Sequence, residues 1–448
     1  MADLPPETAS LQDSGATRIV ADLRGAGFQA YWAGGCVRDL LIGRPAKDID
    51  IATNAHPGQV QALFPITHAI GRAFGVILVE QEGKAYEVAT FRRDAAYSDG
   101  RRPDAVHFTT AEADAQRRDF TINGMFYDPV ENRILDFVDG QADLARRVVR
   151  AIGDPDARFA EDHLRMLRAV RFASTLQFKL DPATAEAIRR LAPALARISV
   201  ERIQTELIRI LTEAPQAGQA LALLDATGLL SVILPEIAAL HGVEQPPEYH
   251  PEGDVFRHTV LMLDTMERPT PELALSVLLH DIGKPPTQTR AMEDGRERIR
   301  FNGHAEKGAQ MAEALLNRLH CSRALTDHVV ACVRGHMRFM DVPHMRPATL
   351  RRLIMAPTFR TELELHRLDC LGSNGNLANH QLVCAFAEKL AHEPTSPPPL
   401  LRGEHVLAEG VPADRRVGQL LKEAYDLQLE GALTSEDQAK QWLRKRLA

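Results

Sequence analysis

The chain has 448 residues, enough for three or four domains, and 45% of them are hydrophobic, so it can bury substantial cores. Its net charge of −7 excludes a protein that is basic all over, so any role with nucleic acid must come from a local basic region. The five cysteines show no paired spacing, which excludes a disulfide framework and indicates buried thiols in a reducing cytosol.

The chain begins with a polar and acidic stretch, residues 1–14, which we predict to be disordered. This stretch has no apolar core, so we do not expect it to act as a signal peptide. A helix is predicted from Ala16 to Leu23. Because no apolar run reaches the length of a membrane span, we expect a cytoplasmic protein with no membrane partner.

The next stretch, Tyr31–Thr53, brings two acidic residues together. It reads as a short apolar strand, a Gly-Gly turn, about two turns of helix, and an alternating strand that holds Asp48 and Asp50. Side chains two apart on a strand point the same way, so both carboxylates should project from one face, with Ile49 and Ile51 buried on the other.

Two carboxylates this close repel each other unless a cation lies between them, and their hard oxygen atoms suit Mg²⁺. The Gly-Gly turn before a helix offers backbone N–H groups to a phosphate, and Arg38 adds charge beside it. A single Gly-Gly is usually only a turn, and a single Asp-x-Asp is usually a solvated strand end. Their presence within one short unit favours phosphoryl or nucleotidyl transfer.

Two strands joined at Gly83 follow, over 75–80 and 86–92. The second strand holds Glu87, which would be a third carboxylate if it lies beside the aspartate pair and would otherwise be solvated. Residues 93–106 predict a polar, mobile substrate loop.

A charged motif then places Asp119 and Asn123 four residues apart, on one face of a predicted helix, with Arg118 beside them to reach a triphosphate. A charged helix start is the alternative for this motif alone. Near residue 140 the chain becomes helical, and from Gln141 to Leu211 basic residues outnumber acidic ones, thirteen to nine.

A long amphipathic helix is predicted after Asp154-Pro155, with Asp162, Arg165 and Arg168 on its polar face. Charged faces are usually solvated, but an acid beside arginines spaced by three residues concentrates charge beyond that need. Cytosine and adenine both offer an amino donor beside a ring-nitrogen acceptor, and guanine and uracil offer the reverse. An acceptor and a donor one helical turn apart therefore match C and A and reject G and U.

A Pro/Gly-rich segment over 242–254 predicts a domain boundary, and residues 394–400 predict a Pro-rich linker. Between them lie widely spaced histidines and aspartates on predicted helices. Imidazole together with carboxylate suits a divalent transition metal, and Lys284 could hold a phosphate. A lone histidine is usually structural, so the prediction depends on convergence of the whole set: His258, His280, Asp281, His304, His336 and Asp369.

The motifs GGCVRDLL, Asp48-x-Asp50, RRDFTIN and Glu161-Asp162-x-x-Arg165 occur in this order. Over roughly residues 30–240 the chain resembles class II CCA-adding tRNA nucleotidyltransferases and the related bacterial poly(A) polymerases. The resemblance implies an α+β fold: a polymerase-β-like head with a small sheet, followed by helical neck, body and tail regions.

By the same resemblance, Asp48 and Asp50 hold Mg²⁺. The residues expected to bind the nucleotide and read its base are Gly35, Arg38, Arg118, Asp119, Asn123, Asp162, Arg165 and Arg168. The region 242–375 resembles HD-superfamily phosphohydrolases, whose metal ligands match His258, His280, Asp281 and Asp369, while His304 and His336 would allow a second metal.

We therefore predict a head over 15–140, a neck and body over 141–241, an HD-type domain over 242–393, and a linker and tail over 394–448. The predicted activity is addition of C and A from CTP and ATP to the 3′ end of tRNA, with the acceptor arm bound and pyrophosphate released. The oligomeric state is left open, as are the substrate, the metal and the activity of the HD-type domain.

Poly(A) synthesis is the first alternative activity. The poly(A) branch tends to have basic residues where this chain has Ala73 and Gly75, and His where it has Leu78, so CCA addition is preferred. Addition of only CC or only A is a further alternative. An RNA-binding phosphohydrolase with an inactive head is the alternative from another class, and the intact aspartate pair argues against it.

Overall fold

The computed structural model describes residues 13–71, 75–94, 106–246, 250–251, 253–293, 296–390 and 397–448. It divides into two compact units, Met1–Ala238 and Ala239–Ala448. The corresponding division predicted from the sequence lies at 241/242. Almost all of the predicted disordered stretch 1–14, the centre of the predicted loop 93–106, and parts of the segments 242–254 and 394–400 lie outside the described residues.

The first unit begins with an α+β region, as the predicted fold class requires. Its strands are β1 (Ala30–Ala33), β2 (Asp50–Thr53), β3 (Thr67–Gly71), β4 (Val76–Gln81), β5 (Lys84–Thr90), β6 (Arg92–Asp94), β7 (Val106–Phe108), β8 (Phe126–Asp128) and β9 (Arg133–Leu135). Its helices are α1 (Ser14–Gly25), α2 (Gly35–Leu41), α3 (Pro57–Leu63) and α4 (Ala111–Gln116), with a 3₁₀ turn at Thr121–Asn123. The helix predicted over 16–23 is confirmed by α1, which Asp13 caps by accepting a hydrogen bond from the backbone of Ala16.

Seven strands form one mixed sheet in the order β3-β4-β5-β2-β1-β8-β9. Only β2 and β5 pair in parallel, and the other neighbours are antiparallel. The interior strand β1 is apolar and mostly buried, and Trp32 packs edge-on against Tyr127 with ring centroids 5.4 Å apart. Burial of β1 fixes β2 beside it and so fixes the position of Asp50 at the edge of the core.

The rest of the first unit is helical, apart from the parallel pair β10 (Val148–Val149) and β11 (Lys179–Leu180). Its helices are α5 (Gly140–Arg146), α6 (Pro155–Glu161), α7 (Leu164–Leu176), α8 (Pro182–Leu191), α9 (Val200–Glu213), α10 (Ala217–Ala226), α11 (Leu229–Ile233) and α12 (Pro235–Ala238), with a 3₁₀ helix at Ala192–Arg197. Leu207 and Ile210 of α9 are fully buried, which anchors that helix in the core of the unit.

Two predicted helices are wrong in detail. The single helix predicted through Asp162 is broken, because Asp162 has an extended backbone (φ −150°, ψ 105°) and its carboxylate accepts the N–H of Leu164 at 3.1 Å. Such local side-chain bonds compete with helix continuation. The helix predicted over Asp119 and Asn123 is also absent, because Phe120 is extended and pairs with Ala151.

The second unit is mainly helical. Its helices are α13 (Val255–Asp264), α14 (Pro271–Leu279), α15 (Lys284–Thr287), α16 (His304–Arg318), α17 (Arg323–Gly335), α18 (Pro347–Met355), α19 (Phe359–Gly372), α20 (Ala378–Leu390), α21 (Gly403–Ala408), α22 (Arg415–Leu429) and α23 (Glu436–Leu447), with a 3₁₀ helix at His336–His344. The hairpin of β12 (Thr289–Glu293) and β13 (Arg296–Arg300) interrupts a region predicted as all-helical.

Helix α14 is apolar on all sides, and its residues from Leu273 to Leu279 are all buried, so it forms the centre of its unit. It carries His280 and Asp281 at its C-terminal end into the interior. Throughout the described ranges, no helix combines the length and the apolar character that crossing a bilayer requires.

Candidate functional site

A cleft of about 690 Å³ opens in the first unit and brings the predicted nucleotide-binding residues together. The start of β2 and the turn before α2 form one side, and α7 and α9 contribute to the other. All ten residues predicted for metal and nucleotide binding in this unit line it: Gly35, Arg38, Asp48, Asp50, Arg118, Asp119, Asn123, Asp162, Arg165 and Arg168.

Three acidic residues lie at or beside the start of β2. Asp50 is the first residue of that strand and Asp48 lies just before it, so the predicted strand begins two residues late and Ile49 is only half-buried. In the parallel pair, Ile51 lies opposite Val88, which brings Glu87 beside Asp50. Desolvation raises the pKa of Asp50, and the charges of Glu87 and Asp48 raise it further, against the opposing effect of Arg118. A bound cation would relieve this mutual repulsion, so the arrangement is suited to carboxylate oxygens that coordinate a metal.

The glycine turn is shaped around an arginine. Gly34 has φ +81°, and a Cβ there would lie 3.0 Å from the guanidinium of Arg118, so a side chain at this position would be strained. Gly35, the predicted residue, starts α2. Arg38 is nearly buried and donates to Asn123 Oδ1 at 2.8 Å and to Asp39 at 2.7 Å. The turn and Arg38 therefore form one hydrogen-bonded unit with the 3₁₀ turn that contains Asn123.

Two further arginines of the cleft, Arg118 and Arg168, are already paired with carboxylates. Arg118 bonds Asp114 at 3.0 Å and stacks over the Phe126 ring at 5.0 Å. Arg168 bonds Asp119 at 2.7 and 2.9 Å, which together with Asn123 holds the pKa of Asp119 down at about 2 although burial opposes this. The predicted approach of Asn123 to Asp119 occurs, at 3.2 Å, although the segment forms a 3₁₀ turn and not an α-helix.

The two predicted base-reading residues are each held by a neighbour. Asp162 accepts two hydrogen bonds from Arg202 of α9, at 2.6 and 3.1 Å. Arg165 pairs with Glu161 and donates to the backbone oxygen of Arg158 at 2.9 Å. Sequence reasoning missed Arg202, because its partner lies 40 residues away and only its helix start at Ser199 is visible in the sequence.

In the second unit the predicted metal ligands converge in two adjacent groups. His258, His280 and Asp369 form one group, and Asp281, His304 and His336 form the other; within each, the ligand atoms lie within 4.8 Å of one another. All are buried except His304 and Asp369, which are partly open to a pocket. Consecutive residues His280 and Asp281 supply one ligand to each group, so the end of α14 joins the two.

The orientation of the imidazoles fits metal binding. His280, His304 and His336 each place Nδ1 at 2.6–2.8 Å from a backbone oxygen three residues earlier, that of Val277, Phe301 and Val333 respectively. Such bonds fix the tautomer with Nδ1 protonated, so that Nε2 offers a lone pair. The Nε2 atoms of His304 and His336 lie 3.1 Å apart, and burial beside His280 lowers the pKa of His336 to about 4. Neutral imidazoles that face each other so closely are suited to sharing a cation.

A pocket of about 790 Å³ lies beside these groups, and Asp281, His304, His336 and Asp369 form part of its wall. Lys284, which was expected to hold a phosphate, donates to Gln245 and Asp281, both at 2.6 Å, and so is tied to the metal ligands. The rest of the wall is largely apolar and includes Phe301 and the exposed Met340. The pocket can therefore admit a small organic molecule to the ligand groups.

Three family models match successive parts of the chain. Residues 30–150 match the poly A polymerase head domain, residues 177–240 match the probable RNA and SrmB-binding site of polymerase A, and residues 255–358 match the HD domain. The matched ranges include, respectively, the aspartate pair, Arg202, and five of the six predicted ligands of the second unit.

The chain is also similar to proteins named CCA-adding enzyme. It is 49% identical to that of Geobacillus thermodenitrificans over 221 residues, which cover 49% of this chain and 54% of the relative, so the alignment spans about half the relative's length. The crystal structure of the Bacillus stearothermophilus CCA-adding enzyme in complex with CTP is 30% identical, with a TM-score of 0.74 over 99% of this chain and 98% of that one. The Thermotoga maritima CCA-adding enzyme complexed with tRNA, 18% identical, shares the fold at a TM-score of 0.63 over 100% and 99% of the two chains.

Proposed function

The chain belongs to the family of CCA-adding enzymes, and we propose that it adds C and A from CTP and ATP to the 3′ end of tRNA without a template. The observation that carries the proposal is the cleft of the first unit. It combines carboxylates suited to Mg²⁺, arginines suited to phosphate, and one acceptor and one donor suited to reading a base.

The carboxylates of Asp48 and Asp50 are the proposed Mg²⁺ ligands. Glu87 is close enough to Asp50 for its negative charge to raise the pKa of Asp50. Bound Mg²⁺ would lower the pKa of the attacking 3′-hydroxyl and neutralise the triphosphate as pyrophosphate leaves. The chain's own part is to place the nucleotide. Arg38 and Arg118, fixed by their partners Asn123 and Asp114, present guanidinium groups at the glycine turn for the phosphates.

Asp162 and Arg165 are the proposed readers of the base. As a carboxylate, Asp162 only accepts hydrogen bonds, and Arg165 only donates them. Cytosine and adenine present a donor and an acceptor on the pairing edge and satisfy both residues, whereas uracil or guanine would leave charged groups unpaired. A site built on such matching can discriminate strongly, because the wrong substrate leaves buried polar groups without partners.

The tRNA would bind mostly through its backbone and the shape of its acceptor arm, which is the usual mode for double-stranded RNA. The basic excess over residues 141–211 supports this assignment. The domain extents predicted from the sequence, 15–140, 141–241, 242–393 and 394–448, and the cytoplasmic location remain part of the proposal.

The proposal is tested by incubating the protein with tRNA that lacks its 3′ end and with each nucleoside triphosphate in turn, and sizing the products to one nucleotide. We expect CTP alone to add two residues, CTP with ATP to complete three, and GTP or UTP to add none. Addition that stops after CC, or that occurs only on a CC end, would support the partial activities. Long poly(A) on unrelated RNA would support the poly(A) alternative. That alternative is disfavoured by Ala73 and Gly75, where the poly(A) branch tends to have basic residues, and by Leu78, where it has histidine.

A second activity is proposed for the second unit, because its two ligand groups open onto a pocket. We propose that this HD domain binds a divalent transition metal and hydrolyses a phosphoester. The test is elemental analysis of the purified protein, followed by a generic phosphodiester assay with added Mn²⁺, Ni²⁺ or Co²⁺. Absence of both metal and hydrolysis would leave the histidines as structural residues.

A further inference from the structure

The carboxylate of Asp162 is held by two elements besides its own. Its backbone lies between α6 and α7 in an extended conformation, so no helix fixes the direction of the side chain. The guanidinium of Arg202, in the first turn of α9, donates from Nη1 to Oδ1 at 3.1 Å and from Nη2 to Oδ2 at 2.6 Å. The backbone N–H of Leu164 donates to Oδ1 at 3.1 Å.

These three bonds leave one direction open on the carboxylate. A carboxylate has about four acceptor positions, two on each oxygen. Arg202 and Leu164 together occupy both positions of Oδ1, and Arg202 occupies one position of Oδ2. The remaining position, on Oδ2, is the one that can accept from a ligand in the cleft.

We propose that Arg202 is a positioning residue for base selection, which holds Asp162 so that a single acceptor faces the amino group of an incoming cytosine or adenine. The inference rests on the proposed function of the same cleft. Arg202 does not line the cleft itself, so it would act through Asp162 and not by touching the nucleotide.

The geometry distinguishes this pair from an ordinary surface ion pair. The side chains of Arg202 and Asp162 are 22% and 14% exposed, whereas those of Arg189 and Glu186 are 51% and 55% exposed. The two planar groups meet through two parallel bonds, an arrangement that fixes orientation as well as distance. Without Arg202, the carboxylate could turn about its side-chain bonds and take water in place of the base, so a wrong base would be penalised less.

The experiment compares Arg202→Gln, Arg202→Lys and the control Arg189→Gln, whose ion pair lies outside the cleft. Each variant is incubated with tRNA lacking its 3′ end, and kcat/KM is measured for CTP and for UTP. We expect the CTP-to-UTP ratio to fall by about tenfold to a hundredfold in Arg202→Gln, the range set by loss of one well-oriented bidentate contact. Arg202→Lys should lower the CTP-to-UTP ratio less than Arg202→Gln does, since lysine keeps the positive charge but cannot form the two parallel bonds of a guanidinium. Arg189→Gln should leave the ratio unchanged.

A double-mutant test separates positioning from a general effect on folding. In an Asp162→Ala background, Arg202→Gln should not lower the ratio further, because the group through which it acts is gone. A ratio that stays unchanged in Arg202→Gln while the wild type adds C and A would overturn this inference and leave the proposed function intact. A wild type that adds neither C nor A would overturn the proposed function first. If Arg202→Gln does not fold, the partial ratio expected of Arg202→Lys decides the question.

Discussion

The cleft of the first unit and the ligand groups of the second use acidic residues in opposite ways. In the cleft, the carboxylates of Asp48 and Asp50 are exposed, and no histidine is among the described residues that line it. In the second unit, each aspartate lies with two imidazoles, and the candidate ligand atoms of each group are within 4.8 Å of one another. If metals bind at both places, the first arrangement would provide a smaller part of a coordination shell than the second.

The two arrangements differ in how many metal ligands the substrate would have to supply. Mg²⁺ keeps several waters and is usually completed by substrate phosphates, so a pair of carboxylates suffices when a triphosphate brings the rest. A transition metal held by several imidazoles and carboxylates can stay bound without substrate. We therefore expect the first site to bind Mg²⁺ only together with a nucleotide, and the second site to keep its metal through purification.

The largest effect is expected at the aspartate pair. Asp50→Ala should lower nucleotide addition by about a thousandfold or more, because loss of a ligand removes several kcal/mol of transition-state stabilisation. The measurement is single-nucleotide extension of tRNA with CTP. Asp22→Ala is the control, since Asp22 forms an exposed pair with Arg18 on α1. Near-wild-type extension by folded Asp50→Ala protein would mean that the cleft is not the active site.

The next effect separates the two sites. His280→Ala/Asp281→Ala removes one ligand from each group, so metal measured by elemental analysis should fall from about one equivalent or more to background, and phosphodiesterase activity should vanish. Addition of C and A should stay within about threefold of wild type, because the aspartate pair of the other unit is untouched. His328→Ala, which loses only a bond to Thr361, should retain the metal. Loss of nucleotide addition in the folded double variant would refute the independence of the sites.

What the sequence predicted, and what it missed, follows from the range of each interaction. The start of β2 and the Gly-Gly turn are local patterns, so Asp48, Asp50 and Arg38 were assigned from periodicity and residue type. The break at Asp162 was missed because a bond from its own side chain to Leu164 outweighs the apolar period of the surrounding helix. Arg202 could not be assigned from the sequence, since its contact with Asp162 spans 40 residues.

The six predicted metal ligands of the second unit show the opposite case. Their positions run from 258 to 369, too far apart for any local pattern, and they were assigned from residue type and resemblance. The tautomers could not have been predicted, because they depend on backbone oxygens such as that of Val333 facing His336. Resemblance therefore supplied the ligands, and only the structure supplied their orientation.

A smaller effect tests whether the charges of the first cleft read the base. Asp162→Ala or Arg165→Ala should lower the preference for CTP over UTP by about tenfold to a hundredfold, or reduce activity with every nucleotide if positioning dominates. The assay is competition between CTP and labelled UTP on tRNA lacking its 3′ end. Arg190→Ala is the control, since Arg190 forms an exposed pair with Asp156 and neither residue lines the cleft. An unchanged preference at full activity would exclude both residues as readers.

The smallest effect concerns stability, because the paired charges of the cleft also support the fold when no ligand is present. The pKa of Asp119 is about 2, below its ordinary value of 3.8, because Arg168 and Asn123 favour the charged form. A lowered pKa means that the unfolded state binds the proton more readily, so this stabilisation is complete above about pH 4 and is lost as the pH falls towards 2. Asp119→Asn should therefore lower the free energy of unfolding by about 2 kcal/mol at pH 7, and the difference from wild type should shrink below pH 4.

Denaturant titrations at pH 7, 5, 4 and 3 would measure this difference in the free energy of unfolding. The control Asp22→Asn is expected to stay within about 0.5 kcal/mol of wild type throughout. A difference that grows as the pH falls would have the wrong sign and would contradict the assigned pairing of Asp119 with Arg168.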